Sequence, residues 1–436
     1  MNKSFVAAVV ASLVSHFSSA EDAAVRIGNP LLARYPASGD ARPRSIWDMH
    51  YFNGRIYIGS GDYWSNSGPT DIWTYNGDGT NFLKEFTVDD EMVLDFFEFE
   101  NKLLIPGNDA TEDWSFENLY INDPNRVPNP GWTKLRTMPG GLHSFDVALF
   151  KGRLYASITT DGSTPASVLV SCDMGQTWAT LISEYAAFVV FDDFMFINGQ
   201  TVSYKYEGTT LQTVTPNLFV YSLSWARKAR FQDGVVYSHP TRYMLTTSPL
   251  YFLPANQVTN GGVATAIAKF ANDNVRDVVV RGKTCYVMTA TEIQQDASYQ
   301  AHIYSSSDLT NWPLASEFTV PGIPLSFEIM SNKFYVGLGS RYDPALGWDV
   351  LVGPEAGSLW QVTPTPRFVN ICRAITGAVT LVIDATPNFN LTLQASPDLV
   401  LTNWTTLAKT NLAGSVYTFT DLTASAAPTR FYRVFH

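Results

Sequence analysis

The chain has 436 residues, of which 45% are hydrophobic and 14% aromatic, and its net charge is −11. A chain of this length and composition can bury a large core. Its acidity argues against nucleic acid or an anionic membrane surface as the partner, because both attract basic proteins. Neutral ligands or bound cations fit better, although the acidity could equally serve solubility alone.

Cysteine and histidine usage gives no metal or redox signature. Cys172, Cys285 and Cys372 have no metal-ligand spacing, and three cysteines cannot all pair with one another. A disulfide between two of them is compatible with an oxidising compartment, but nothing selects the pair. The six histidines form no paired zinc motif. We therefore predict no cofactor, and leave open a structural cation such as calcium.

Residues 1–20 are typical of an export signal. Lys3 supplies a positive start, an apolar run extends from Phe5 to Val14, and small residues end the segment at Ala20. The apolar run is too short to span a bilayer, and no later stretch is long enough. We predict a secreted or cell-surface protein with no integral membrane segment, acting as a monomer.

A short phrase of two strands around a tight turn recurs along the chain. Its copies are about 41 to 51 residues apart and centre on Gly54, Asn101, Gly152, Asp193, Gly234, Gly282 and Asn332. The first copy expands into four predicted strands at 46–52, 55–59, 71–75 and 82–88, with turns at Asn53-Gly54 and around Gly77. Strand repeats of this length are typical of β-propeller blades. Helical periodicity is almost lacking, so an α/β fold is excluded.

These repeats predict an all-β protein with a seven-bladed β-propeller over residues 21–363. The last copy lacks a convincing fourth strand, and residues 26–35 are expected to supply it and close the ring. Beyond Pro364 the phrase disappears, and short β-like runs occur at 379–383, 391–395, 417–419 and 431–435. They predict a small β-sandwich-like domain over residues 364–436.

Two turns carry a family resemblance. Ser171-Cys172-Asp173-Met174-Gly175-Gln176-Thr177-Trp178 resembles the Asp-box of sialidases and other propellers with bacterial neuraminidase repeats, and Ser306 to Trp312 is a degraded copy. Chemically the motif fastens a β-hairpin: the aspartate accepts turn amides and the tryptophan packs beneath. We expect it between third and fourth strands, away from any active site. Arg26-Ile27-Gly28 does not match the Arg-Ile-Pro segment of sialidases, so sialidase activity is not expected.

The C-terminal segment resembles a module found on many secreted bacterial proteins. The resemblance rests on the stretch from Leu393 to Leu399, on Asn403-Trp404, and on the ending from Arg430 to Val434. It implies an accessory or surface-association role rather than catalysis.

The loops that follow second strands and lead into first strands form the ligand face of a propeller. Here they combine aromatic residues with carboxylates, which suits sugars because a ring face stacks on indole while hydroxyls bond to acids. The alternative is that these aromatics cap the blades as a small outer core. We predict a glycan-binding surface formed by Asp62, Trp64, Asp109, Asp113, Trp114 and Asp146.

An acidic residue recurs at the entrance to the innermost strand. The members of this ring are Asp48, Asp95, Asp146 and Asp277. Such a ring is able to bind a cation or position acid–base carboxylates. The structural alternative, which the repetition favours, is that each carboxylate ties its blade to the backbone of a neighbour.

Three histidines, His50, His143 and His239, are expected near the channel mouth. With Arg242 and Tyr243 beside it, His239 suits proton abstraction next to the carboxylate of an acidic sugar, as in a polysaccharide lyase. The catalytic candidates are therefore His143, His239, Arg242 and Tyr243. The sequence predicts recognition of extracellular glycan, with a glycoside hydrolase or polysaccharide lyase and a protein-binding scaffold as alternatives.

Overall fold

The protein was analysed as a computed structural model. It describes residues 21–36, 40–62, 67–160, 166–214, 226–240, 246–259, 264–294, 298–342, 351–374, 376–386, 389–397, 403–414, 416–426 and 430–435. Over these residues the chain forms seven four-stranded antiparallel sheets and two three-stranded sheets. The predicted fold, a seven-bladed propeller followed by a small β-sandwich-like domain, is confirmed.

The first strands of six blades carry residues that line the central channel, and in every blade the second strand pairs with the first. The first strands are β2 (Asp48–Phe52), β6 (Phe97–Phe99), β10 (His143–Phe150), β14 (Ala186–Val190), β18 (Arg227–Phe231), β22 (Val275–Arg281) and β26 (Ile323–Met330). The second strands are β3 (Arg55–Gly59), β7 (Lys102–Pro106), β11 (Arg153–Thr159), β15 (Met195–Gly199), β19 (Gly234–Ser238), β23 (Thr284–Gln294) and β27 (Lys333–Gly339).

Third and fourth strands complete the blades towards the periphery. The third strands are β4 (Thr70–Tyr75), β8 (Phe116–Asp123), β12 (Ser167–Ser171), β16 (Ser203–Tyr206), β20 (Tyr251–Pro254), β24 (Ser298–Ser306) and β30 (Leu359–Val362). The fourth strands are β5 (Phe82–Val88), β9 (Gly131–Pro139), β13 (Ala179–Ile182), β17 (Leu211–Val214), β21 (Thr265–Ala266), β25 (Leu314–Val320) and β1 (Ala24–Gly28). A small hairpin, β28 (Arg341–Tyr342) and β29 (Leu351–Val352), lies between β27 and β30.

Short helices connect some strands. One is an α-helix, α1 (Ala255–Thr259), and the others are 3₁₀ turns at Pro30–Ala33, Arg42–Arg44, Ala268–Phe270 and Leu422–Ala426. None of the helices in the described part of the chain is long and apolar enough to cross a bilayer.

The N-terminal strand closes the ring. Ala24–Gly28 pairs antiparallel with Leu359–Val362 and so becomes the fourth strand of the seventh blade. The sequence pointed to residues 26–35 for this strand, but the pairing begins two residues earlier and ends at Gly28. A 3₁₀ turn follows because Asn29 accepts the amide of Leu31 and Pro30 cannot donate to a ladder. With this strand the seventh blade has four strands like the other six, and it contains both ends of the propeller segment.

The tight turn between first and second strands explains why the phrase repeats. Asn53 and Gly54 have φ values of 49° and 80°, the left-handed pair that a two-residue hairpin needs. Lys151 and Gly152 repeat the geometry at 49° and 71°. These two turns set the register between the first and second strands of their blades, as in the pairing of Phe52 with Arg55.

The core lies mainly between neighbouring blades. Between the first and second blades, Phe52 and Tyr57 pack with Phe96 and Tyr120, all with less than 9% of their surface exposed. Similar clusters join the other blades. Because neighbouring blades pack closely, each blade depends on its neighbours for stability. The carboxylates near the channel lie between these packed blades and are largely buried.

The Ser171–Trp178 turn lies between the third and fourth strands of its blade. Asp173 accepts the amide of Thr177 at 2.9 Å and its hydroxyl at 2.7 Å, and these bonds lower the pKa of Asp173 to about 2. Trp178 Nε1 donates to Thr137 Oγ1 of the preceding blade at 3.1 Å. The turn therefore fastens the rim of one blade to the next and contributes nothing to the channel.

The C-terminal domain consists of two three-stranded sheets around one apolar cluster. Its strands are β31 (Arg367–Arg373), β32 (Val379–Asp384), β33 (Asn390–Ser396), β34 (Thr405–Asn411), β35 (Val416–Asp421) and β36 (Phe431–Phe435). The sequence patterns located four of these strands and missed β31 and β34. Phe389 packs against Phe334 of the seventh blade with ring centroids 5.6 Å apart. Cys172, Cys285 and Cys372 are not joined in disulfides.

Candidate functional site

The loops of the first three blades are joined on one face of the propeller, which we call the upper face. It is the end where second strands finish and first strands begin. Isolated bridges link Gly61 with Met92, Asp90 with Ala110, and Asn108 with His143. Because the pairs follow one another from the first blade to the third, these loops form a continuous backbone layer.

Glu91, Asp109 and His143 meet in this layer. One side-chain ligand atom from each lies within 4.8 Å of the other two. His143 Nε2 lies 3.1 Å from Asp109 Oδ2, and His143 Nδ1 lies 3.2 Å from Thr159 Oγ1. Asp109 adopts a φ of 54°, a left-handed conformation that aspartate tolerates better than most residues. The arrangement is able to hold a cation or to carry a proton between imidazole and carboxylate.

Two fully buried carboxyl groups stand behind the upper face. Asp90 accepts the amide of Asn108 at 2.8 Å, Asn118 Nδ2 at 3.0 Å and the hydroxyl of Tyr120. Burial and the charge of Asp90 raise the pKa of Glu117 well above its ordinary range. Both groups support the loops from within.

Glycine at position 107 permits this packing. A Cβ atom at Gly107 would lie 2.2 Å from Glu117 Oε1 and 2.8 Å from Asp90 Oδ1. Any side chain here would separate the buried carboxyl pair from the loop that carries Asp109.

An exposed aromatic pair forms the outer rim of the second blade. Trp114 and Phe116 each have 44% of their surface exposed. Arg136 lies beside them and pairs with Asp113 at 3.0 Å, while Lys134 bridges Asp89 at 2.9 Å and Glu112 at 2.5 Å. Apolar ring faces and charged hydrogen-bonding groups are therefore presented together to solvent.

The remaining predicted ligand residues are distributed differently. Asp62 is fully buried, and its backbone amide bonds to the carbonyl of Glu91 at 3.0 Å. Asp146 lines the central channel rather than the rim. Trp64, Arg242 and Tyr243 lie outside the described residues.

The central channel holds a cavity of about 560 Å³ lined by charged residues from several blades. Most of its carboxylates accept a backbone amide from the next blade. The pairs are Asp48 with Phe96 at 2.8 Å, Asp146 with Phe188 at 2.7 Å, Asp277 with Phe327 at 2.8 Å, and Glu328 with Tyr51 at 2.8 Å. These bonds hold adjacent blades together, as the structural interpretation of the acidic ring predicted.

Arg227 neutralises the ring from inside the channel. Its guanidinium lies 3.5 Å from Asp48, 2.9 Å from Asp95 and 3.7 Å from Asp277. Burial raises the pKa of Asp48 to about 7 and that of Asp277 to about 6, and Arg227 acts in the opposite direction. Lys228 pairs in the same way with Asp146 and donates to the carbonyl of Phe188 at 2.9 Å.

The three histidines do not share one environment. His50 lines the channel cavity and lies 3.0 Å from Glu98 Oε2, whereas His143 belongs to the upper face. Burial lowers the pKa of His239 to about 4, so its imidazole is neutral near pH 7. Its ring lies edge-on to Tyr237, with centroids 5.7 Å apart.

Sequence reasoning missed Glu91, Glu117 and Arg227. In the structure, Arg227 lies six positions before Asp233, the second residue of its hairpin turn. Four aspartates have the same offset from the second residue of their own turns: Asp48 from Gly54, Asp95 from Asn101, Asp146 from Gly152 and Asp277 from Lys283. Aligning the blades on the turn would have shown a basic residue where four other blades carry aspartate. Glu91 and Glu117 have no comparable signal, because their position depends on how separate loops pack.

No protein-family model and no curated protein sequence matches this chain. Solved structures with a similar fold include U3-55K, which matches at 10% identity and a TM-score of 0.47, over 73% of this chain and 95% of that one. An α-L-arabinanase of Penicillium chrysogenum matches at 13% identity and a TM-score of 0.42, over 79% of this chain and 98% of that one. A GH93 α-L-arabinofuranosidase of Fusarium graminearum matches at 12% identity and a TM-score of 0.39, also over 79% of this chain and 98% of that one. These values are too low to transfer any activity.

Proposed function

We propose that this protein is exported and recognises extracellular carbohydrate through the upper face of its first three blades, without sialidase activity. The observation that supports this most directly is the exposed pair Trp114 and Phe116 beside Asp113 and Arg136. The resemblance to Asp-box propellers concerns turns at the rim, so it bears on architecture and not on the ligand.

Carbohydrate suits this surface because a pyranose has an apolar face and a polar edge. The apolar face stacks on an aromatic ring, and the hydroxyls exchange hydrogen bonds with charged groups at its border. Trp114 has 44% of its surface exposed, so a dissolved sugar can reach it. The groups beside it are already paired with one another, so they are oriented before a ligand arrives.

Binding to a panel of extracellular polysaccharides tests the proposal. The chain from residue 21 onward is immobilised and binding is followed by surface plasmon resonance. Trp114→Ala is expected to weaken binding at least about tenfold, equivalent to about 1.4 kcal/mol. Tyr51→Ala is the matched control, since Tyr51 is an aromatic with 37% exposure near the opposite end of the first blade. Equal binding by both variants contradicts the proposal.

An enzyme acting on the same carbohydrate is the second candidate. The hydrogen-bonded pair of His143 and Asp109 favours it, because a carboxylate orients an imidazole for proton transfer. Mass spectrometry of each polysaccharide after incubation separates the cases. A hydrolase adds water to each cut, a lyase leaves a double bond, and unchanged polymers contradict catalysis on that panel. A protein-binding scaffold would bind none of the sugars.

A further inference from the structure

Glu91, Asp109 and His143 come from three separate segments of the upper face. Glu91 lies in the connection between the first and second blades, Asp109 follows β7, and His143 begins β10. Their ligand atoms nevertheless lie within 4.8 Å of one another. Two carboxylates and one imidazole at such separations resemble the three-ligand set that leaves an open position on a metal ion.

Backbone hydrogen bonds connect the three segments that carry these side chains. The amide of Glu91 bonds to the carbonyls of Asn108 and Asp109 at 3.1 and 3.2 Å. The amide of Asp109 bonds to the carbonyl of Leu142 at 2.9 Å, next to His143. Each ligand segment is therefore hydrogen-bonded to another ligand segment, and little ordering entropy would remain to be lost on binding.

The imidazole has a hydrogen-bonding partner on the side away from Asp109, since Thr159 Oγ1 lies 3.2 Å from His143 Nδ1. When the threonine oxygen accepts the Nδ1 proton, Nε2 carries the lone pair that a metal ion between His143 and Asp109 would take. Without the ion, the other tautomer places the proton on Nε2, which then donates to Asp109. A partner that orients the ring in this way raises the affinity of a histidine for a metal.

An independent observation concerns the second oxygen of Asp109. Asp109 Oδ1 is buried and makes no hydrogen bond within the described residues. A buried carboxylate oxygen without a partner is costly in an ordinary ion pair with histidine. A cation bound between Asp109 and its neighbours would satisfy it.

We propose that Glu91, Asp109 and His143 form a site for a divalent transition-metal ion of the Zn²⁺ or Mn²⁺ class. A mixed set of one nitrogen and carboxylate oxygens suits these ions. Calcium, which the sequence left open, prefers six to eight oxygen ligands and is not the ion assigned. The bound ion would join the loops of the first three blades on the upper face. The proposal does not depend on glycan binding.

Metal titration of the intact chain, with no affinity tag, is the test. Protein stripped with EDTA is titrated with Zn²⁺, Mn²⁺ and Ca²⁺ by calorimetry, and bound metal is counted by mass spectrometry. We expect one Zn²⁺ or Mn²⁺ per chain, weaker Ca²⁺ binding, and a higher Tm with the metal. His143→Gln and Asp109→Asn are expected to remove both the binding and the Tm increase.

Matched variants separate a metal site from a plain ion pair. His50→Gln removes a histidine that also pairs with a carboxylate, in the channel, and should bind metal as the wild type does. Thr159→Val retains all three ligands and should weaken binding by about 10-fold to 100-fold. Circular dichroism checks that each variant is folded. Absence of stoichiometric binding, unchanged binding in His143→Gln, or Ca²⁺ binding as tight as Zn²⁺ overturns the proposal.

Discussion

The channel and the upper face both gather carboxylates, but they use them differently. In the channel, Asp146 accepts an amide from the next blade and pairs with Lys228, and Asp48 does the same with Phe96 and Arg227. On the upper face, Asp109 meets Glu91 and His143 and keeps one buried oxygen without a hydrogen bond. Within the described part of the chain, Asp146 Oδ1 also lacks a hydrogen bond, so the difference lies in the partners. Carboxylates that bind the backbone of the next blade and a lysine or arginine stabilise the fold, whereas carboxylates that cluster with a histidine are candidates for ligand binding.

The largest effect is expected from breaking a channel contact. Asp146→Ala removes the partner of Lys228 and the acceptor of the Phe188 amide, and both donors lie in largely buried surroundings. We expect a loss of about 4 kcal/mol in the free energy of unfolding. Chemical denaturation measures it. Asp192→Ala is the control, because that side chain is 99% exposed and should change stability by less than about 0.5 kcal/mol.

Arg227→Met tests whether one cation neutralises the ring. Three carboxylates would lose their shared counter-charge, so we expect a loss of about 3 kcal/mol at pH 8. The loss should be smaller at pH 5, where Asp48 and Asp277 can bind protons. Denaturation at the two pH values checks this. An equal loss at both would mean that Arg227 stabilises the channel by packing alone.

Asp48 and Asp277 should contribute a fall in the stability of the wild-type protein as pH rises. The pKa of Asp48 is about 7 and that of Asp277 about 6 in the folded state, against an ordinary value of 3.8. Between pH 4 and pH 7 these two groups therefore bind more protons in the folded chain than in the unfolded chain, and their contribution to the free energy of unfolding falls as pH rises. His239, whose pKa in the folded state is about 4, acts in the opposite direction over this range. We expect this pair to contribute on the order of 2 kcal/mol, because the two groups interact. Denaturation across this range should show a shallower slope for Asp48→Asn.

The smallest effect on stability is expected on the upper face. Trp114→Ala removes a side chain that is 44% exposed, so the free energy of unfolding should change by less than about 0.5 kcal/mol. Denaturation measures this, and the same preparation can be used in the carbohydrate assay. A loss above about 2 kcal/mol would show that Trp114 caps the blade, which is the structural alternative to a binding surface.

The fold was predictable because it depends on local and repeated information. Asn53-Gly54 and Lys151-Gly152 determine hairpins within a few residues, and seven copies of such a hairpin leave few other architectures. The strand pattern of the C-terminal domain was weaker, and β31 and β34 were missed. Burial alternates less clearly along β34 than along β32.

The sequence by itself determined the blade repeat, the hairpin turns and the Ser171–Trp178 turn, since each depends on residues close together in the chain. It also marked the acidic residues that recur at the entrance to the innermost strand. Only the tertiary structure decided which carboxylates are satisfied: Arg227 reaches three blades, and Glu91, Asp109 and His143 meet from three segments. Such meetings depend on the packing of whole blades, because the distances between side chains far apart in sequence are not encoded in any local pattern.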